Sequence, residues 1–191
     1  MKIIRARDCR TTPWKNGGGS TTEIAVAPAG ASLDNFDWRV SLARVASDGP
    51  FSEFPGIDRS LAVVKGEGLV LSIGQHAPLT LSRGSEPISF PGDVAASARL
   101  TAGEITDLNV MTRRRRFIHR MQRIHDPIAC DFDGHHIAFV LSLNGKASLA
   151  SERAAATLDH GDAAILLSRN GSLRIAPLGP SDVYLVLLRE A

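Results

Sequence analysis

Cysteine is scarce in this chain of 191 residues, and the scarcity excludes two classes of small protein. Cys9 and Cys130 are the only two cysteines, they lie far apart, and neither stands in a CxxC or Cys/His spacing. A disulfide framework or a structural zinc site needs more cysteines or histidines at closer spacing. We therefore expect both cysteines to be reduced and structural.

Long apolar segments and an excess of charge are also missing. The first seven residues lack the apolar stretch of a signal peptide, and no later segment approaches the roughly 20 apolar residues of a membrane span. The 22 basic and 20 acidic residues leave a formal charge of +2, too small to indicate nucleic acid or an anionic membrane as a partner. We expect a cytoplasmic globular protein that binds neither nucleic acid nor membrane.

Convincing long amphipathic helices are absent, and most of the chain is typical of short strands separated by turns. The predicted strands are brief, rich in apolar or β-branched residues, and bounded by Gly, Pro, Asp or Asn. Residues 151–158 favour a helical turn locally, although a loop fits the short strand spacing equally well. The predicted strands cover residues 22–26, 38–45, 60–64, 68–73, 107–111, 137–143 and 183–188.

The two halves of the chain repeat one pattern. Residues 61–71 and 137–147 each form an apolar strand that ends in a glycine-containing hairpin turn. Residues 90–96 and 159–165 each contain a Gly-Asp turn that enters an apolar strand. Two such units predict a duplicated antiparallel barrel or jelly roll, whose second half begins near Arg114.

The densest group of chemically useful side chains lies in residues 13–23. This segment places the indole of Trp14, the cation of Lys15, the amide of Asn16 and the carboxylate of Glu23 around three consecutive glycines. Glycine costs backbone entropy on ordering, so it occurs where positive φ or a close backbone approach is needed. The segment indicates either a ligand-contacting loop or a turn into a strand, with Trp14 on the core and Lys15 solvated.

Four blocks of the sequence carry a family resemblance. Residues 13–23, 36–43, 49–59 and 107–113 closely resemble the HutD/Ves family and occur in that family's order. The Gly-Asp turns resemble those of cupin barrels, and two copies resemble a bicupin. The resemblance implies an all-β bicupin of two antiparallel cupin-like barrels or jelly rolls with few short helices. Its barrels would be residues 1–113 and 114–191.

The histidines of a cupin metal site are missing from the first barrel. Cupin enzymes bind a metal through a His-x-His, a following Glu and a later His, because imidazole and carboxylate suit divalent transition metals. Between Gly68 and Leu108 the only histidine is His76. In the second half His135 and His136 are adjacent, so on a strand they point to opposite faces. We therefore expect no metal and no other cofactor.

One predicted strand brings a guanidinium beside a hydroxyl. Side chains alternate between the two faces of a strand, so Arg39 and Ser41, which are two residues apart, share a face. Arginine can hold a carboxylate through two parallel charge-assisted hydrogen bonds. The alternative is an ion pair of Arg39 with Glu23 or Asp37 that only satisfies the charges.

A second predicted strand carries a polar stripe. Asp107, Asn109, Met111 and Arg113 alternate with apolar or small residues and therefore share one face. This face could line a binding site or could be the solvated face of a sheet.

The resemblance implies that these side chains surround a pocket in or beside the first barrel. We expect the cations of Lys15 and Arg39 to balance ligand carboxylates, with Trp14 as a wall. Asn16 and Asn109 would form hydrogen bonds with an amide or formyl group of the ligand. Glu23 and Asp107 would position the cations or accept a hydrogen bond from a ligand N–H. The expected ligand-binding residues are Trp14, Lys15, Asn16, Glu23, Arg39, Ser41, Asp107 and Asn109.

Further positive charge lies outside this set. Arg59 could be a third cation of the site, or it could form a turn-stabilising pair with Asp58. Residues 113–116 are four consecutive arginines. They could bind phosphate, or they could belong to a connecting strand with a solvated face. The apolar Phe117 and Ile118 that follow favour the strand.

Three functions fit these observations. The first is a metal-independent bicupin that binds a small carboxylate-containing metabolite; the resemblance implies N-formylglutamate or urocanate, and with it regulation of histidine utilisation. The second is a cupin-type enzyme, a hydrolase or isomerase, with Glu23 or Asp107 as general base. The third is a stress-related interaction protein, as the Ves name implies. The sequence leaves a homodimer open.

Overall fold

Strands make up nearly all of the regular structure, as the alternating patterns predict. The structure is a computed structural model that describes all 191 residues apart from the side chain of Asn170. Within the described part of the chain the helical segments are two 3₁₀ helices, Ala6–Asp8 and Ser168–Asn170. Neither has the length or the apolar character of a membrane-crossing helix. The all-β prediction is confirmed.

The chain divides into two compact units. We call Arg10–Arg116 the first unit, and Phe117–Ala191 together with Met1–Cys9 the second unit. The sequence placed the boundary between residues 113 and 114 and assigned the N-terminus to the first barrel. The N-terminal residues join the other unit because their strand pairs antiparallel with residues 163–165.

Two antiparallel sheets build the first unit. The six-stranded sheet has the order β2-β3-β4-β11-β6-β9, and the four-stranded sheet has the order β5-β10-β7-β8. Chain neighbours are often not sheet neighbours, as in a jelly roll. The strands are β2 Arg10–Pro13, β3 Gly19–Ala27, β4 Trp38–Val45, β5 Gly49–Pro50, β6 Ile57–Lys65, β7 Leu69–Ile73, β8 Leu79–Leu81, β9 Ile88–Pro91, β10 Ala96–Leu100 and β11 Ile105–Arg113.

An apolar core lies between residues of these two sheets. Leu61 and Val63 of β6 belong to the same buried cluster as Leu69 and Leu71 of β7. Because side chains alternate along a strand, the face of β6 that carries Leu61 and Val63 also carries Arg59. The functional side chains described below lie on this same face of the six-stranded sheet.

The second unit repeats the two-sheet plan. Its sheets have the orders β1-β17-β14-β19-β12 and β13-β18-β15-β16. Its buried cluster is apolar and contains residues from both sheets, among them Val140, Leu149 and Leu185. The strands are β1 Lys2–Ile4, β12 Phe117–Ile124, β13 Ile128–Cys130, β14 Ile137–Leu143, β15 Lys146–Ser151, β16 Ala155–Leu158, β17 Ala163–Leu167, β18 Leu173–Leu178 and β19 Asp182–Glu190.

The seven predicted strands are all present, and two of them, β4 and β14, have the predicted bounds. The helical turn weighed for residues 151–158 is wrong. Residues 155–158 instead form β16, which pairs with β15, so cross-strand pairing overrides the local helix preference of the alanines.

Candidate functional site

A polar cluster occupies one face of the six-stranded sheet. The central strand β11 contributes Asp107 and Asn109, β4 contributes Arg39 and Ser41, and β6 contributes Arg59. Residues paired across an antiparallel ladder lie on the same side of the sheet, and Asn109 pairs with Ser41 on one side and Leu61 on the other. The cluster therefore shares its face with the apolar core.

The next strand of the sheet extends the cluster toward solvent. Glu23 of β3 pairs with Ser41, so the row Glu23, Ser41, Asn109 crosses three strands. Ser41 and Asn109 are 2% and 6% exposed, whereas the Glu23 side chain is 39% exposed. The cluster thus runs from a buried end on β11 to an accessible end on β3.

At the buried end, three side chains form a hydrogen-bonded chain. Asn109 Nδ2 donates to Asp107 Oδ1 at 2.5 Å, and Arg59 Nη2 donates to Asn109 Oδ1 at 2.9 Å. The exposed fractions of Asp107 and Arg59 are 1% and 7%. A carboxylate and a guanidinium are therefore both buried, with an amide between them.

Three phenylalanines surround the guanidinium of Arg59. Its carbon lies 5.3 Å from the ring centroid of Phe51, 5.7 Å from that of Phe54 and 5.3 Å from that of Phe90. These distances are within the range of cation–π attraction. Rings on several sides leave the edges of the planar guanidinium as the places where an acceptor can bind.

The edges of the Arg59 guanidinium are unequally occupied. Nη2 is bound to Asn109, and Nη1 makes a long 3.4 Å contact with the carbonyl of Ser52. Nε is buried and has no hydrogen-bond partner. A buried donor without an acceptor costs about 1–3 kcal/mol, so this edge is where a ligand acceptor would gain most.

Burial also changes the acid–base properties of the chain. Desolvation raises the pKa of Asp107 to about 7, although the hydrogen bond from Asn109 and the charge of Arg59 act in the opposite direction. Burial lowers the pKa of Arg59, partly offset by the charge of Asp107. The Asp107 carboxyl therefore changes its protonation near neutral pH.

At the accessible end, Arg39 is held by two neighbours. Its Nε donates to Glu23 Oε2 at 2.9 Å, and its Nη1 donates to Ser41 Oγ at 3.3 Å. Of the two ion pairs weighed from the sequence, the structure contains the one with Glu23, since Asp37 accepts from Arg116 instead. Arg39 thus already has a carboxylate partner within the protein.

The glycine run forms the turn between β2 and β3. Gly17 has a φ of +73°, and a Cβ at Gly19 would lie 2.1 Å from the carbonyl oxygen of Arg44. Both reasons for glycine, positive φ and a close backbone approach, are therefore present. Trp14 donates from Nε1 to Thr21 Oγ1 at 2.8 Å and packs against the core of the first unit.

The tip of this turn lies apart from the cluster. Lys15 is exposed, and Asn16 is also exposed while its Oδ1 accepts from the Gly18 N–H at 3.0 Å. The hairpin tip and the Glu23 row are about four residues, or roughly 13 Å, apart along β3. The structure brings six of the eight expected side chains onto one face or its edge and leaves Lys15 and Asn16 at the turn.

The structure decides two of the alternatives weighed for the arginines. Arg59 does not pair with Asp58, because consecutive strand residues face opposite sides and Asp58 accepts from Arg114 Nε at 2.8 Å. Residues 114–116 form a turn after β11, and the connecting strand is β12, which begins at Phe117. Arg114 also binds both oxygens of Asp93 at 3.0 and 3.1 Å, so much of this positive charge is paired locally.

No group of three or more His, Cys, Asp or Glu side chains among the described residues could hold a metal ion. His135 Nδ1 lies 3.0 Å from the carbonyl of Phe132, and His160 Nδ1 accepts from the Asn144 N–H at 2.8 Å. These imidazoles serve loop structure in the second unit.

The aromatic residues around Arg59 were missed by the sequence reasoning. Phe51 and Phe54 follow β5, and Phe90 lies on β9, so no periodic pattern links them. The available signals were the presence of Phe51 and Phe54 in the block 49–59, which the family resemblance had already marked, and the place of Phe90 beside a Gly-Asp turn. Their function as a box for a cation depends on contacts between segments distant in sequence.

Comparison with known proteins places the chain in a family. The HutD family model matches residues 6–185. The chain belongs to the HutD family. This family is associated with histidine utilisation, and the match covers both units of the chain.

Curated relatives of this HutD family member match part of their length. An uncharacterized 21.2 kDa protein in the hutC 3' region of Pseudomonas putida is 37% identical over 123 residues, which are 64% of this chain and 63% of that protein. Protein Ves of Citrobacter koseri is 37% identical over 117 residues, 61% of this chain and 60% of Ves. The chain thus spans about three fifths of the length of each.

Solved structures agree with the fold over the whole chain. HutD from Pseudomonas fluorescens SBW25 has a TM-score of 0.85 and 30% identity, covering 100% of this chain and 98% of that one. A cupin 2 conserved barrel domain protein from Leptotrichia buccalis has a TM-score of 0.57 and 12% identity, covering 100% and 96%. The second likeness shows the fold alone. The predicted HutD/Ves resemblance and the cupin-like fold are confirmed.

Proposed function

We propose that this HutD family member binds a small carboxylate-containing metabolite in the polar cluster of its first unit, without a metal, and thereby regulates histidine utilisation. N-formylglutamate and urocanate are the two candidate acids, since each combines a carboxylate with a polar nitrogen. The observation that carries the proposal is the Nε of Arg59, a buried cationic donor without a partner.

The position of Arg39 supports the proposal. Arg39 and Arg59 lie on the same face of the sheet, because both pair with Met111 on the strand between them. Two cations on one face suit a dicarboxylate such as N-formylglutamate, because each can bind one carboxylate in a charge-assisted geometry. In this proposal Arg59 takes the role that the sequence assigned to Lys15.

The remaining side chains would complete recognition. Ser41 offers a hydroxyl beside Arg39, Glu23 would position the Arg39 cation, and the indole of Trp14 would bound the site on the β3 side. The exposed Lys15 and Asn16 would take part only where the turn between β2 and β3 folds over a bound acid. Because histidine breakdown supplies the acids, we place the protein in the cytoplasm.

A hydrolase or isomerase is the second candidate, and one observation favours it. The pKa of Asp107 is raised to about 7 by burial, and a general base works best near the pH of the reaction. Asp107 is 1% exposed, however, and its described hydrogen bond is to Asn109, so a substrate would have to displace that amide. The more exposed Glu23 is the other candidate base.

The test is calorimetric titration of metal-stripped protein with N-formylglutamate and with urocanate, using glutamate as control, followed by chemical analysis of the recovered acid. Saturable binding of an unchanged acid supports the proposal. Conversion of the acid moves the protein to the enzyme class. Absence of heat and of thermal stabilisation with every acid rejects acid binding, and a stable protein partner in its place would support an interaction protein.

A further inference from the structure

Asp107 and Arg59 are held apart by one side chain. On the sheet ladder Asp107 pairs with Val63, whereas Arg59 pairs with Met111, so the two charges start four residues, or roughly 13 Å, apart along the strand. The long Arg59 side chain reaches back only as far as Asn109. The Asn109 amide therefore lies between the two charges and bonds to both.

When Asp107 is ionised, the chemistry of the two ends allows one orientation of that amide. An ionised carboxylate only accepts hydrogen bonds, and a guanidinium only donates them. Asn109 between them must turn its NH₂ group to Asp107 and its carbonyl oxygen to Arg59, which is the observed arrangement. Both ends require the same orientation, so Asp107 acts together with Arg59 in holding the amide with its oxygen toward the arginine.

The fixed amide in turn holds Arg59 by one nitrogen. The rings of Phe51, Phe54 and Phe90 limit the guanidinium from its sides, and Asn109 and the Ser52 carbonyl bind its Nη2 and Nη1, so Nε is the nitrogen without a hydrogen-bond partner. Direct contact with the Asp107 carboxylate would satisfy Arg59 and cancel its charge. The Asn109 amide accepts a hydrogen bond from one N–H of Arg59 and leaves the positive charge of Arg59 available to a ligand.

We infer that Asp107 and Asn109 are positioning residues: Asp107 orients Asn109, and Asn109 holds Arg59 with its Nε edge toward a bound acid while separating the two opposite charges. This inference rests on the proposed acid-binding function and refines it, since Asp107 and Asn109 then act through Arg59 instead of contacting the acid. The affinity for an acid depends on both residues.

The experiment has two readouts. The first is the Nε–Hε resonance of Arg59 in protein labelled with ¹⁵N-arginine, assigned by its loss in Arg59→Lys. The second is calorimetric affinity for N-formylglutamate. In the wild-type protein we expect a sharp resonance that exchanges slowly with water, because the group is buried and its side chain is fixed.

Asp107→Asn is the main variant. It keeps the side-chain volume but removes the carboxylate that holds the Asn109 amide from its other end, so we expect the Arg59 resonance to broaden or shift and the affinity to fall about tenfold, the equivalent of one hydrogen bond. Asp182→Asn, which removes a buried carboxylate of the second unit, is the matched control and leaves both readouts unchanged.

The double variant Asp107→Asn with Asn109→Asp exchanges the two side chains. Its hydrogen-bond directions again suit Arg59, so the sharp resonance returns, but the carboxylate now lies against the guanidinium and acid binding stays weak. An unchanged Arg59 resonance in Asp107→Asn, or wild-type acid affinity in the double variant, would overturn the inference. If the wild-type protein binds no acid, the proposed function fails, and the resonance alone decides whether Asp107 positions Arg59.

Discussion

Arg39 and Glu23 form an ion pair across β3 and β4, with Arg39 Nε 2.9 Å from Glu23 Oε2. The two partners differ in their exposure to water, because the Arg39 side chain is 13% exposed and the Glu23 side chain is 39% exposed. A carboxylate arriving from solvent would meet a guanidinium that already has a partner of the same chemistry. This relationship gives two predictions.

Replacing Arg39 by alanine should weaken binding of N-formylglutamate. The loss of a charge-assisted hydrogen bond predicts a reduction of roughly 1.5–3 kcal/mol in binding free energy, measured by calorimetry. Arg44→Ala is the matched control, because Arg44 lies on the same strand and also pairs with a glutamate, Glu104, but faces the other side. Full acid affinity with lower folding stability in Arg39→Ala would instead identify a purely structural ion pair.

Replacing Glu23 by glutamine should strengthen acid binding. The change keeps the shape of the side chain and removes the carboxylate that competes for Arg39, so we expect affinity for N-formylglutamate to rise by a few fold. The partner change Glu104→Gln should have no effect on affinity. Weaker binding in Glu23→Gln would mean that Glu23 contacts the acid directly, as an acceptor for its N–H.

The buried carboxyl of Asp107 should make stability depend on pH. Its pKa is raised to about 7 in the folded protein, above the ordinary value near 3.8, so the folded state binds the proton more tightly than the unfolded chain. This contribution is fully present at pH values below the ordinary pKa and is lost as the pH rises through 7. From pH 5 to 8 we expect a loss on the order of 2–3 kcal/mol in the free energy of unfolding.

Urea titrations of the wild-type protein and Asp107→Asn at pH 5, 6, 7 and 8 check this prediction. Every other ionisable group is common to both proteins, so the difference between the two curves isolates Asp107. The variant should lose less stability over this range. Parallel curves would show that the carboxyl does not exchange its proton in this window.

The two glycine positions of the hairpin turn should differ in their sensitivity to alanine. Gly17→Ala places a methyl group in open space, so only the positive φ lowers the free energy of unfolding, by about 1–2 kcal/mol. Gly19→Ala also puts a Cβ 2.1 Å from the Arg44 carbonyl oxygen and 2.9 Å from the Trp14 ring, and should cost at least about 3 kcal/mol. Chemical denaturation measures both, and equal losses would contradict the packing argument.

Removing divalent metals should leave the protein unchanged. The described residues offer no metal cluster, so dialysis against a chelator should alter neither the thermal midpoint nor the affinity for N-formylglutamate. Readdition of zinc, manganese or iron should restore nothing. A drop in affinity that one of these ions reverses would reject the metal-independent proposal.

Alternation along single strands was enough to place most of the cluster. The shared faces of Arg39 with Ser41 and of Asp107 with Asn109 follow from a period of two, and the structure contains both. The same rule separates Asp58 from Arg59, so their proposed pairing conflicted with information already in the sequence. The alternation of side chains along a strand predicts well which face of the sheet each residue occupies, provided that it is applied to every pair of neighbouring residues.

Contacts between distant segments could not be predicted in this way. The hydrogen-bonded chain from Asp107 to Arg59 depends on which strands are neighbours, and β11 lies between β4 and β6, whose ends are separated from its start by 59 and 39 intervening residues. The short strands β8, β9 and β16 were also missed, because three or four residues carry too little pattern. Their pairing partners, more than their own composition, make them strands.

The pairing of β1 with β17 has a consequence for synthesis on the ribosome. Residues 1–9 leave the exit tunnel before residues 10–191, yet their sheet partner lies more than 150 residues later. The unit Arg10–Arg116 can fold while translation continues, because domains fold as units in the order in which they emerge. Residues 2–4 must wait until residues 163–165 have appeared, so a segment that is synthesised before the first unit becomes ordered after it.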